Sequence, residues 1–433
     1  MTSDMLKPTK TLYVWIFLPG ATDPVVAGRV DLVGQLHQFT YGKSYLRNPD
    51  AIPIFLPELP LVEQIHVPAA PLQIAGCLRD GAPDFWGRRV IINRLTGAKG
   101  IAMDLDALDE MNYMLQSGSD RIGALDFQSS ATDYVPRLAG EVALSTLIEA
   151  ADLVERGVRL PLELDEALRH GTSIGGARPK AQVTDGNRKM IAKFRASNDQ
   201  HSVVKGEYIA MKIAQACGMN IAPVELRQVM GKDVLLIERF DRINTGQGWT
   251  RRAMVSALTI LGLSELQGRY ASYEDLATHL RKASLTPSAD LQELFARMCF
   301  NILVGNTDDH ARNHAGFWTG GQLQLTPAYD IDPRPRASYE ANQAMAVRGT
   351  DHRANLSLAL DAAGSFGLDQ ERAERIILAQ VEAIRDLFDE LARDVDLTPA
   401  DYTALRKRAF LREFAFDGLT GRLAALRDAT KSN

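Results

Sequence analysis

Cysteine is scarce in this sequence, and its placement argues against the sites that cysteine usually builds. The chain contains three cysteines, Cys77, Cys217 and Cys299, among 433 residues. They lie far apart, in or beside apolar segments, and no pair has the Cys-x-x-Cys spacing of a zinc site or a redox-active dithiol. We therefore expect buried thiols that serve packing.

Long hydrophobic runs and an excess of one charge are also missing. The apolar stretch at residues 11–18 is too short to cross a bilayer and has no small-residue cleavage site after it. The composition is 45% hydrophobic and 24% charged, with a formal net charge of −5. Disorder, membrane attachment and direct nucleic-acid binding as the main activity do not fit such a chain. We expect a cytoplasmic globular protein of two or three domains.

The order of strand-like and helix-like patterns predicts three parts and an α+β fold class. Residues 1–135 begin with strand patterns and form a mixed N-terminal domain. Residues 136–245 contain two predicted hairpins with a helix between them. Residues 246–433 are mainly amphipathic helices.

A glycine-rich loop followed by a hairpin is the first sign of a phosphate-binding site. Residues 171–180 read Gly-Thr-Ser-Ile-Gly-Gly-Ala-Arg-Pro-Lys. Such a backbone can approach phosphates closely and cradle negative charge with its amide hydrogens, and an ordinary flexible loop fits the composition equally well. Residues 181–184 and 189–194 then predict two strands joined at Asp185-Gly186, which places Lys193 late on the second strand.

The helix predicted after this hairpin carries a carboxylate on its apolar face. Residues 202–217 follow the helical period and are closed by Gly218, a residue suited to the position past a helix end. Glu207 shares its face with apolar residues, and a buried carboxylate is costly without a partner. We predict an ion pair with Lys193; a Glu207 that reaches solvent from the edge of the face is the alternative.

A second hairpin ends in a run of charged residues. Its strands are predicted at residues 223–229 and 234–242, around a turn at 231–233. The run is Glu238-Arg239-Phe240-Asp241-Arg242, where the strand pattern turns polar. This fits either a plain edge strand or a hinge that leaves a small lobe beside a nucleotide pocket.

The densest polar chemistry follows a helical pattern that Asp290 is expected to cap. Residues 306–313 read Asn-Thr-Asp-Asp-His-Ala-Arg-Asn, with Asp308 and Asn313 five positions apart. This is the spacing of a kinase catalytic loop, in which the Asp accepts a proton from the attacking hydroxyl and the Asn holds a metal ion. Alone, it also fits a solvated polar turn. A predicted hairpin then leads to Asp330, 17 residues after Asn313, where a second metal ligand is expected.

Taken in order, these motifs resemble those of one family, the HipA toxin serine/threonine kinases. The similarity covers nearly the whole chain and implies a two-lobed, protein-kinase-like fold. The Asp-x-His-x-x-Asn loop places that fold nearer the phosphoinositide-kinase variant. Residues 1–135 would be the accessory domain, 136–245 the kinase N-lobe and 246–433 the helical C-lobe. The motifs are residues 172–180, Lys193, Glu207, 238–242, 306–313 and 329–330, with 45–49, 78–84 and 118–123 in the accessory domain.

The resemblance implies a role for each matching residue. Asp308 would be the catalytic base, with His310 and Arg312 assisting, and Asn313 and Asp330 would bind Mg²⁺. Ser173 matches the family's autophosphorylated serine, whose phosphate would repel ATP and eject the loop. Asp309 and Arg178-Pro179 stand at positions that vary in the family. The residues expected to bind ATP are Ser173, Gly175, Gly176, Ala177, Lys180, Lys193, Glu207, Glu238, Arg239 and Phe240.

The expected activity is an ATP- and Mg²⁺-dependent serine/threonine kinase that acts as a toxin, with a role in persistence. The resemblance also implies restraint by a small helix-turn-helix antitoxin, contact with DNA only through that antitoxin, and an aminoacyl-tRNA synthetase as a candidate protein substrate. Two alternatives stay open. One is an inactive kinase fold that acts as a co-repressor with its antitoxin, and the other is a kinase for a lipid or small molecule.

Overall fold

The structure, a computed structural model, describes residues 9–96, 108–138, 142–168 and 176–426. The chain divides into two compact units. The first contains the chain up to residue 198 together with 227–255 and 317–321, and the second contains the remainder. The first unit thus includes the predicted N-terminal domain and most of the segment predicted as the kinase N-lobe. The three-domain division itself stays a prediction.

A five-stranded antiparallel sheet organises the N-terminal part of the first unit. Leu12 and Val14 are fully buried while their neighbour Tyr13 is partly exposed, the period of two that a strand with one covered face shows. The predicted early strands are confirmed. The order is β4-β3-β2-β1-β5, with β1 (Thr11–Ile16), β2 (Val25–Val33), β3 (Leu36–Tyr41), β4 (Ile65–His66) and β5 (Leu125–Gln128).

A second sheet contains the predicted hairpins. Gly186, with φ of 58°, takes the first central position of the tight turn between its first two strands, which needs a positive φ. The other turn lies at Met230 and Gly231, slightly earlier than predicted, with φ values of 52° and 75°. Its second strand stops at Glu238, short of residue 242. The order is β6-β7-β9-β8, with β6 (Lys180–Asp185), β7 (Arg188–Phe194), β8 (Val224–Val229) and β9 (Lys232–Glu238).

Helices cover the second sheet and form the core of the first unit with it. Trp86 is fully buried and packs in one cluster with Met190 of β7 and Leu236 of β9. The remaining elements are α1 (Lys43–Leu46), α2 (Gly76–Arg79), α3 (Phe85–Thr96), α4 (Glu110–Gln116), α5 (Leu144–Glu155), α6 (Leu162–Leu168) and the paired strands β10 (Arg242–Asn244) and β11 (Trp249–Arg251).

The second unit is mainly helical, as predicted. Short strands β12 (Met254–Ser256) and β13 (Ala315–Trp318) are divided between the units, and β14 (Leu323–Leu325) belongs to the second. The core of the second unit includes the apolar faces of two long helices, with Leu294 and Met298 on one and Ile377 and Val381 on the other. The helices are α7 (Val203–Ala216), α8 (Ala257–Ile260), α9 (Tyr273–Ala283), α10 (Pro287–Val304), α11 (Leu356–Asp361), α12 (Gln370–Asp394) and α13 (Pro399–Arg408).

Asp290 does not cap α10, which corrects the expectation from the sequence. The helix begins at Pro287, and Thr286 is its N-cap residue. Proline suits the first helical position because its φ is preset and it has no N–H that needs a partner. Asp290 lies buried in the first turn and accepts hydrogen bonds from Ser284 Oγ at 2.7 Å and the Leu325 amide at 3.0 Å. Its carboxylate therefore fastens the start of α10 to β14.

The cysteines agree with the prediction of thiols that serve packing. All three are free, with Cys77 and Cys299 buried and Cys217 partly buried. Burial raises the pKa of the Cys77 and Cys299 thiols, so both stay protonated at neutral pH. Among the described residues, none of the helices combines the length and the apolar character that crossing a membrane requires.

Candidate active site

The predicted catalytic loop starts where α10 ends, at Gly305. This residue has φ of 72°, the left-handed conformation that commonly closes a helix, and its amide donates back to the carbonyls of Asn301 and Ile302. A Cβ at Gly305 would lie 2.7 Å from the carbonyl oxygen of Ala409. Glycine is therefore required here both by conformation and by space.

Asp308 presents its carboxylate at the surface of the second unit. Its Oδ2 lies 2.7 Å from Nη2 of Arg334, with the side chains of Asp308 and Arg334 exposed by 46% and 47%. The same guanidinium reaches Asp332, with Nε 3.5 Å from Oδ2. Solvent screens such a pair, so it is worth about 1 kcal/mol or less and opens readily. An exposed carboxylate is what a base needs if it is to meet a hydroxyl on another protein.

The next residue, Asp309, is buried and holds the loop in place. Its Oδ2 accepts hydrogen bonds from the Tyr273 hydroxyl and from Asn301 Nδ2 at 2.7 Å, and lies 2.9 Å from His314 Nε2. Burial, and then the nearby carboxylate, raise the pKa of Tyr273 well above its usual range, so the hydroxyl keeps its proton. Three partners at one oxygen fix the loop against α9 and α10.

Asn313 folds back onto the base. Its side chain is buried, and Nδ2 donates to the carbonyl oxygen of Asp308 at 3.3 Å. The Asn313 amide also donates to the carbonyl of His310 at 2.8 Å, which closes the loop into a turn. With Nδ2 used in this way, Oδ1 is the atom that Asn313 can offer to a cation.

The segment that contains Asp330 lies against the same loop. The Tyr329 hydroxyl donates to the carbonyl of Arg312 at 2.8 Å, and Asn306 Nδ2 approaches the carbonyl of Asp330 at 3.4 Å. Asp330 has φ of 60°, which is uncommon outside glycine and occurs often at functional sites. The structure thus brings the predicted base and the segments of both predicted metal ligands together within one unit.

The donor chemistry of this site fits Mg²⁺. An Asp330 carboxylate and an Asn313 amide oxygen are hard oxygen ligands of the kind that magnesium prefers. In the described parts of the chain, no group of three or more His, Cys, Asp or Glu side chains is arranged to hold a metal ion. Two protein ligands suit an ion whose remaining ligands are nucleotide phosphates and water, as in phosphotransferases.

The two residues predicted to assist the base have different surroundings. Arg312 is paired with Glu265, Nη2 to Oε1 at 2.5 Å. The His310 amide donates to the carbonyl of Asp308 at 2.8 Å, and its ring Nδ1 is buried without a hydrogen-bond partner among the residues described. Their assistance to the base stays a prediction.

The nucleotide-binding loop is described only at its end. Ser173 and Gly175, with the rest of residues 171–175, lie outside the described residues. Gly176 has φ of 104°, and a Cβ there would lie 1.9 Å from Nζ of Lys180, so the lysine amine fills the space that any other side chain would need. Ala177 is exposed. The loop therefore ends with a lysine packed against its own backbone.

Two lysines stand side by side on the first hairpin of this sheet. Lys180 of β6 and Lys193 of β7 are Cα partners in the antiparallel register, and both are buried. Directly opposed residues project from the same face of a sheet. Two adjacent cations on one face suit a strongly anionic ligand such as the phosphates of ATP. Contact with ATP stays a prediction for both.

Glu207 lies on the buried face of α7, as predicted. Its exposed fraction is 2%, so the alternative of a glutamate that reaches solvent is wrong. Glu207 belongs to the second unit and Lys193 to the first. The ion pair between them stays a prediction.

The predicted hinge residues lie at the end of β9 and directly after it, in the first unit. Arg239 is 3% exposed, and its guanidinium binds Asp120 at 3.1 Å and Asp241 at 2.9 Å, so its side chain is already engaged within the protein. Its amide donates to the carbonyl of Lys189 at 2.8 Å. Glu238 is partly buried, and the ring of Phe240 meets another ring, that of Phe317, edge to face at 5.7 Å. Nucleotide binding by these three residues stays a prediction.

Two motifs that are distant in sequence form one buried network around Arg239. Nε of Arg242 donates to Asp120 at 2.9 Å, and the Gly123 amide donates to Asp241 at 2.8 Å. Burial alone would raise the pKa of Asp120, but Arg239 and Arg242 lower it below its usual range. The sequence indicates both motifs, but no spacing signal indicates that they meet.

Arg334 is a site residue that no sequence motif identified. A usable signal is the run Asp332-Pro333-Arg334-Pro335-Arg336, in which prolines alternate with arginines. Proline and the residue before it favour extended backbone, which presents alternate side chains on one side. Two cations presented together just after a predicted metal ligand are a reasonable sign of contacts with anions.

Comparisons with known proteins show what the chain is similar to. Residues 172–388 match the family model of the HipA-like C-terminal domain. The Y4mE protein of Sinorhizobium fredii, which carries the name of a kinase, is 25% identical over 407 residues, covering 83% of this chain and 90% of that protein. The serine/threonine-protein kinase toxin HipA of Shewanella oneidensis is 28% identical over 275 residues, 56% of this chain and 61% of that protein.

A solved structure shows the same fold. It is the complex of HipA, HipB and operator DNA from Shewanella oneidensis, which matches with a TM-score of 0.63 at 19% identity, over 97% of this chain and 95% of that one. At that level of identity the likeness concerns the fold alone. The predicted α+β, protein-kinase-like fold is confirmed.

Proposed function

Because this chain belongs to the HipA family, whose C-terminal domain model matches half of its length, we propose that it is an ATP- and Mg²⁺-dependent serine/threonine protein kinase. The observation that carries this proposal is the loop in the second unit. There, Asp308 is exposed, Asp309 anchors the backbone, and Asn313 and the Asp330 segment lie within hydrogen-bond reach of the same loop.

In the proposed reaction, Asp308 accepts the proton of a serine or threonine hydroxyl. The hydroxyl oxygen forms a bond to the γ-phosphorus of ATP while the bond between that phosphorus and the β–γ bridging oxygen breaks, and ADP leaves. Asn313 and Asp330 would hold Mg²⁺, which neutralises charge on the phosphate oxygens. The weak pair with Arg334 opens as the hydroxyl approaches, since both partners are half exposed.

The proposal extends to a toxin restrained by a partner. A relative, HipA of Shewanella oneidensis, has been solved in complex with HipB and operator DNA. By analogy, this chain would bind a small helix-turn-helix antitoxin and reach DNA through it, which suits a net charge of −5. An aminoacyl-tRNA synthetase as substrate, and Ser173 as the autophosphorylated residue, rest on the family resemblance.

Labelling with γ-labelled ATP and Mg²⁺ tests the proposal. We expect the wild-type protein to label itself or a co-purifying partner, and Asp308→Ala to label neither. Ser173→Ala should keep transfer to a partner and lose label from its own loop. Arg353→Gln, which removes an exposed arginine paired with Asp351, is the control and should label normally.

Two results would count against the proposal. Equal labelling by wild type and Asp308→Ala would place the chemistry elsewhere. Absence of labelling in every variant, with ATP bound, would favour the inactive co-repressor alternative.

A further inference from the structure

A small pocket beside the catalytic loop has no part in the reaction described so far. Its cavity measures about 320 Å³. One wall is Thr307, the residue directly before Asp308. We call it the Arg336 pocket. Its lining residues are Thr307, Arg336, Ser338, Glu340, Ala341 and Asn342.

Backbone hydrogen bonds fix the walls of the Arg336 pocket relative to the loop. The Ala344 amide donates to the carbonyl of Thr307 at 3.1 Å. The amide of Arg336 donates to the carbonyl of Arg408, at the end of α13, at 3.0 Å. The pocket is therefore part of the ordered surroundings of Asp308 within the second unit, and whatever binds in it is held near the base.

Two arginines bring positive charge to this pocket, and several of their N–H groups have no acceptor among the described residues. Nε and Nη1 of Arg336 are buried and donate no hydrogen bond to any described protein atom, and Nε of Arg412 is in the same state. Nη2 of Arg412 donates to the carbonyl of Ser338 at 3.1 Å, which places this second guanidinium at the pocket wall. Burial, and then the charge of Arg412, lower the pKa of Arg336 to about 10, so it remains a cation at neutral pH.

One carboxylate, that of Glu340, lines the same pocket. The pKa of Arg353 is raised chiefly by its hydrogen bond to Asp351, with Glu340 contributing through its charge. The pKa of Arg336, in contrast, is lowered by burial and by the like charge of Arg412. Buried N–H groups of a cation that lack an acceptor are unfavourable, and a bound oxyanion would offset that cost.

We propose that the Arg336 pocket binds an oxyanion carried by the protein substrate, a phosphate or a carboxylate close to the hydroxyl that is phosphorylated. The proposal rests on the kinase function proposed above. Guanidinium groups bind phosphate and carboxylate oxygens through several N–H donors at once. A cavity of about 320 Å³ is at the small end of ligand pockets and suits one side chain. The expected substrate therefore carries an acidic or phosphorylated residue beside its target serine or threonine.

Three short peptides test this site by titration calorimetry on the full chain. They are Ala-phosphoserine-Ala, Ala-Asp-Ala and Ala-Ser-Ala, each with blocked ends, added in the presence of a non-hydrolysable ATP analogue and Mg²⁺ in excess. We expect at least one anionic peptide to bind at least tenfold more tightly than the neutral one. Arg336→Gln should weaken that binding at least tenfold. Arg375→Gln, which removes an exposed arginine paired with Glu371 on α12, should leave it unchanged.

The peptides also show whether the bound anion is a phosphate or a carboxylate. Preference for phosphoserine assigns a phosphate, and preference for aspartate assigns a carboxylate. Arg412→Gln should weaken binding as well, so the proposal stays testable if Arg336→Gln does not fold. No preference for anionic peptides, or equal binding by wild type, Arg336→Gln and Arg412→Gln, would overturn the proposal.

Failure of the kinase proposal would look different. Binding of the peptides needs no phosphoryl transfer, so the calorimetric titration and the labelling assay give independent results on the same wild-type protein. If the protein binds anionic peptides through Arg336 but transfers no phosphate, the anion site is supported and the kinase proposal is wrong.

Discussion

Asp308 and Asp309 are neighbours in sequence with opposite surroundings. The carboxylate of Asp308 is half exposed and pairs with the half-exposed Arg334, whereas Asp309 is buried among Tyr273, Asn301 and His314. Exposure makes the first available to a substrate, and hydrogen bonds make the second a fixed anchor. The spacing to Asn313 selects Asp308 from the sequence, and the packing of α9 and α10 shows that its neighbour Asp309 is engaged within the protein.

The anchor role of Asp309 predicts a stability loss in Tyr273→Phe. The variant removes a hydroxyl that donates to a buried carboxylate, so the free energy of unfolding should fall by about 1.5–3 kcal/mol in urea titrations. Tyr402→Phe is the matched control, because its hydroxyl donates to Asp389 at 2.8 Å at an exposed position. The control should lose no more than about 1 kcal/mol. Equal losses in the two variants would contradict the anchor role.

At the scale of elements, the two ends of α10 explain why its extent was only partly predictable. The buried stripe that includes Leu294 and Met298 identifies the helix from sequence. The sequence suggests Asp290 as the N-cap residue, but the helix already begins at Pro287. The Asp290 carboxylate instead accepts hydrogen bonds from Ser284 and from the Leu325 amide. A local pattern reveals periodicity, but it does not reveal a partner strand that is distant in sequence.

The other end of α10 gives a prediction about Gly305. Gly305→Ala combines a left-handed φ with a Cβ that would lie 2.7 Å from a backbone oxygen of Ala409. Gly218→Ala at the end of α7 has a similar φ of 77° and open space around it. We expect Gly218→Ala to cost about 1–2 kcal/mol of unfolding free energy from φ alone, and Gly305→Ala to cost clearly more.

The same pair of variants separates the loop from the rest of the second unit. Displacement of Gly305 also moves the start of the catalytic loop, so phosphoryl transfer should fall in Gly305→Ala and persist in Gly218→Ala. Urea unfolding and the labelling assay measure the two effects. A Gly305→Ala variant as stable and as active as Gly218→Ala would show that the contact with Ala409 does not hold the loop.

At the scale of the whole chain, the largest departure from sequence-based expectation is the network in the first unit. The sequence shows both the 118–123 motif and the run 238–242, and the run fits either an edge strand or a hinge. In the folded protein, Asp120 binds both Arg239 and Arg242, and these groups are buried. Tertiary contacts across more than a hundred residues leave no local pattern, which is why the pairing could not be predicted.

Because Asp120 is an ionised member of this network, the free energy of unfolding should depend on pH. Its pKa is lower in the folded state than the usual value of about 3.9. The stabilisation is therefore fully present above about pH 5 and is lost as the pH falls through 4 and below. Asp120→Asn should lower the unfolding free energy at pH 7 by about 3–5 kcal/mol, because Arg239 and Arg242 lose a buried counter-charge.

Unfolding measured at pH 3, 5 and 7 checks this prediction. The loss in Asp120→Asn should shrink towards pH 3, because the Asp120 carboxylate of the unfolded wild-type chain takes up a proton near its ordinary pKa of about 3.9 while the folded state stays ionised. Asp351→Asn, which changes an exposed pair with Arg353, should lose no more than about 1 kcal/mol at pH 7. A constant difference between wild type and Asp120→Asn across the three values would contradict the electrostatic explanation.

The helices and strands that have a clear local pattern could be predicted from the sequence, and so could the polar loop at residues 306–313. The hairpin of β6 and β7, the helix α7 and the order of Asp308, Asn313 and Asp330 follow from periodicity, turn residues and spacing. The contacts of Arg334 and Arg336 could not be predicted from the sequence, because each contact depends on chain segments that meet only after folding.

ATP binding and phosphoryl transfer, measured on the same preparations of wild type and Asp308→Asn, test the central claim most directly. Both proteins should bind ATP with Mg²⁺ at similar affinity, since Asp308 is expected to act on the hydroxyl and not on the nucleotide. Transfer should fall about 100-fold or more in Asp308→Asn, the usual contribution of a general base. Transfer by Asp308→Asn at the wild-type rate, or wild-type protein that binds ATP and transfers nothing, would contradict the assignment of Asp308 as the base of a kinase.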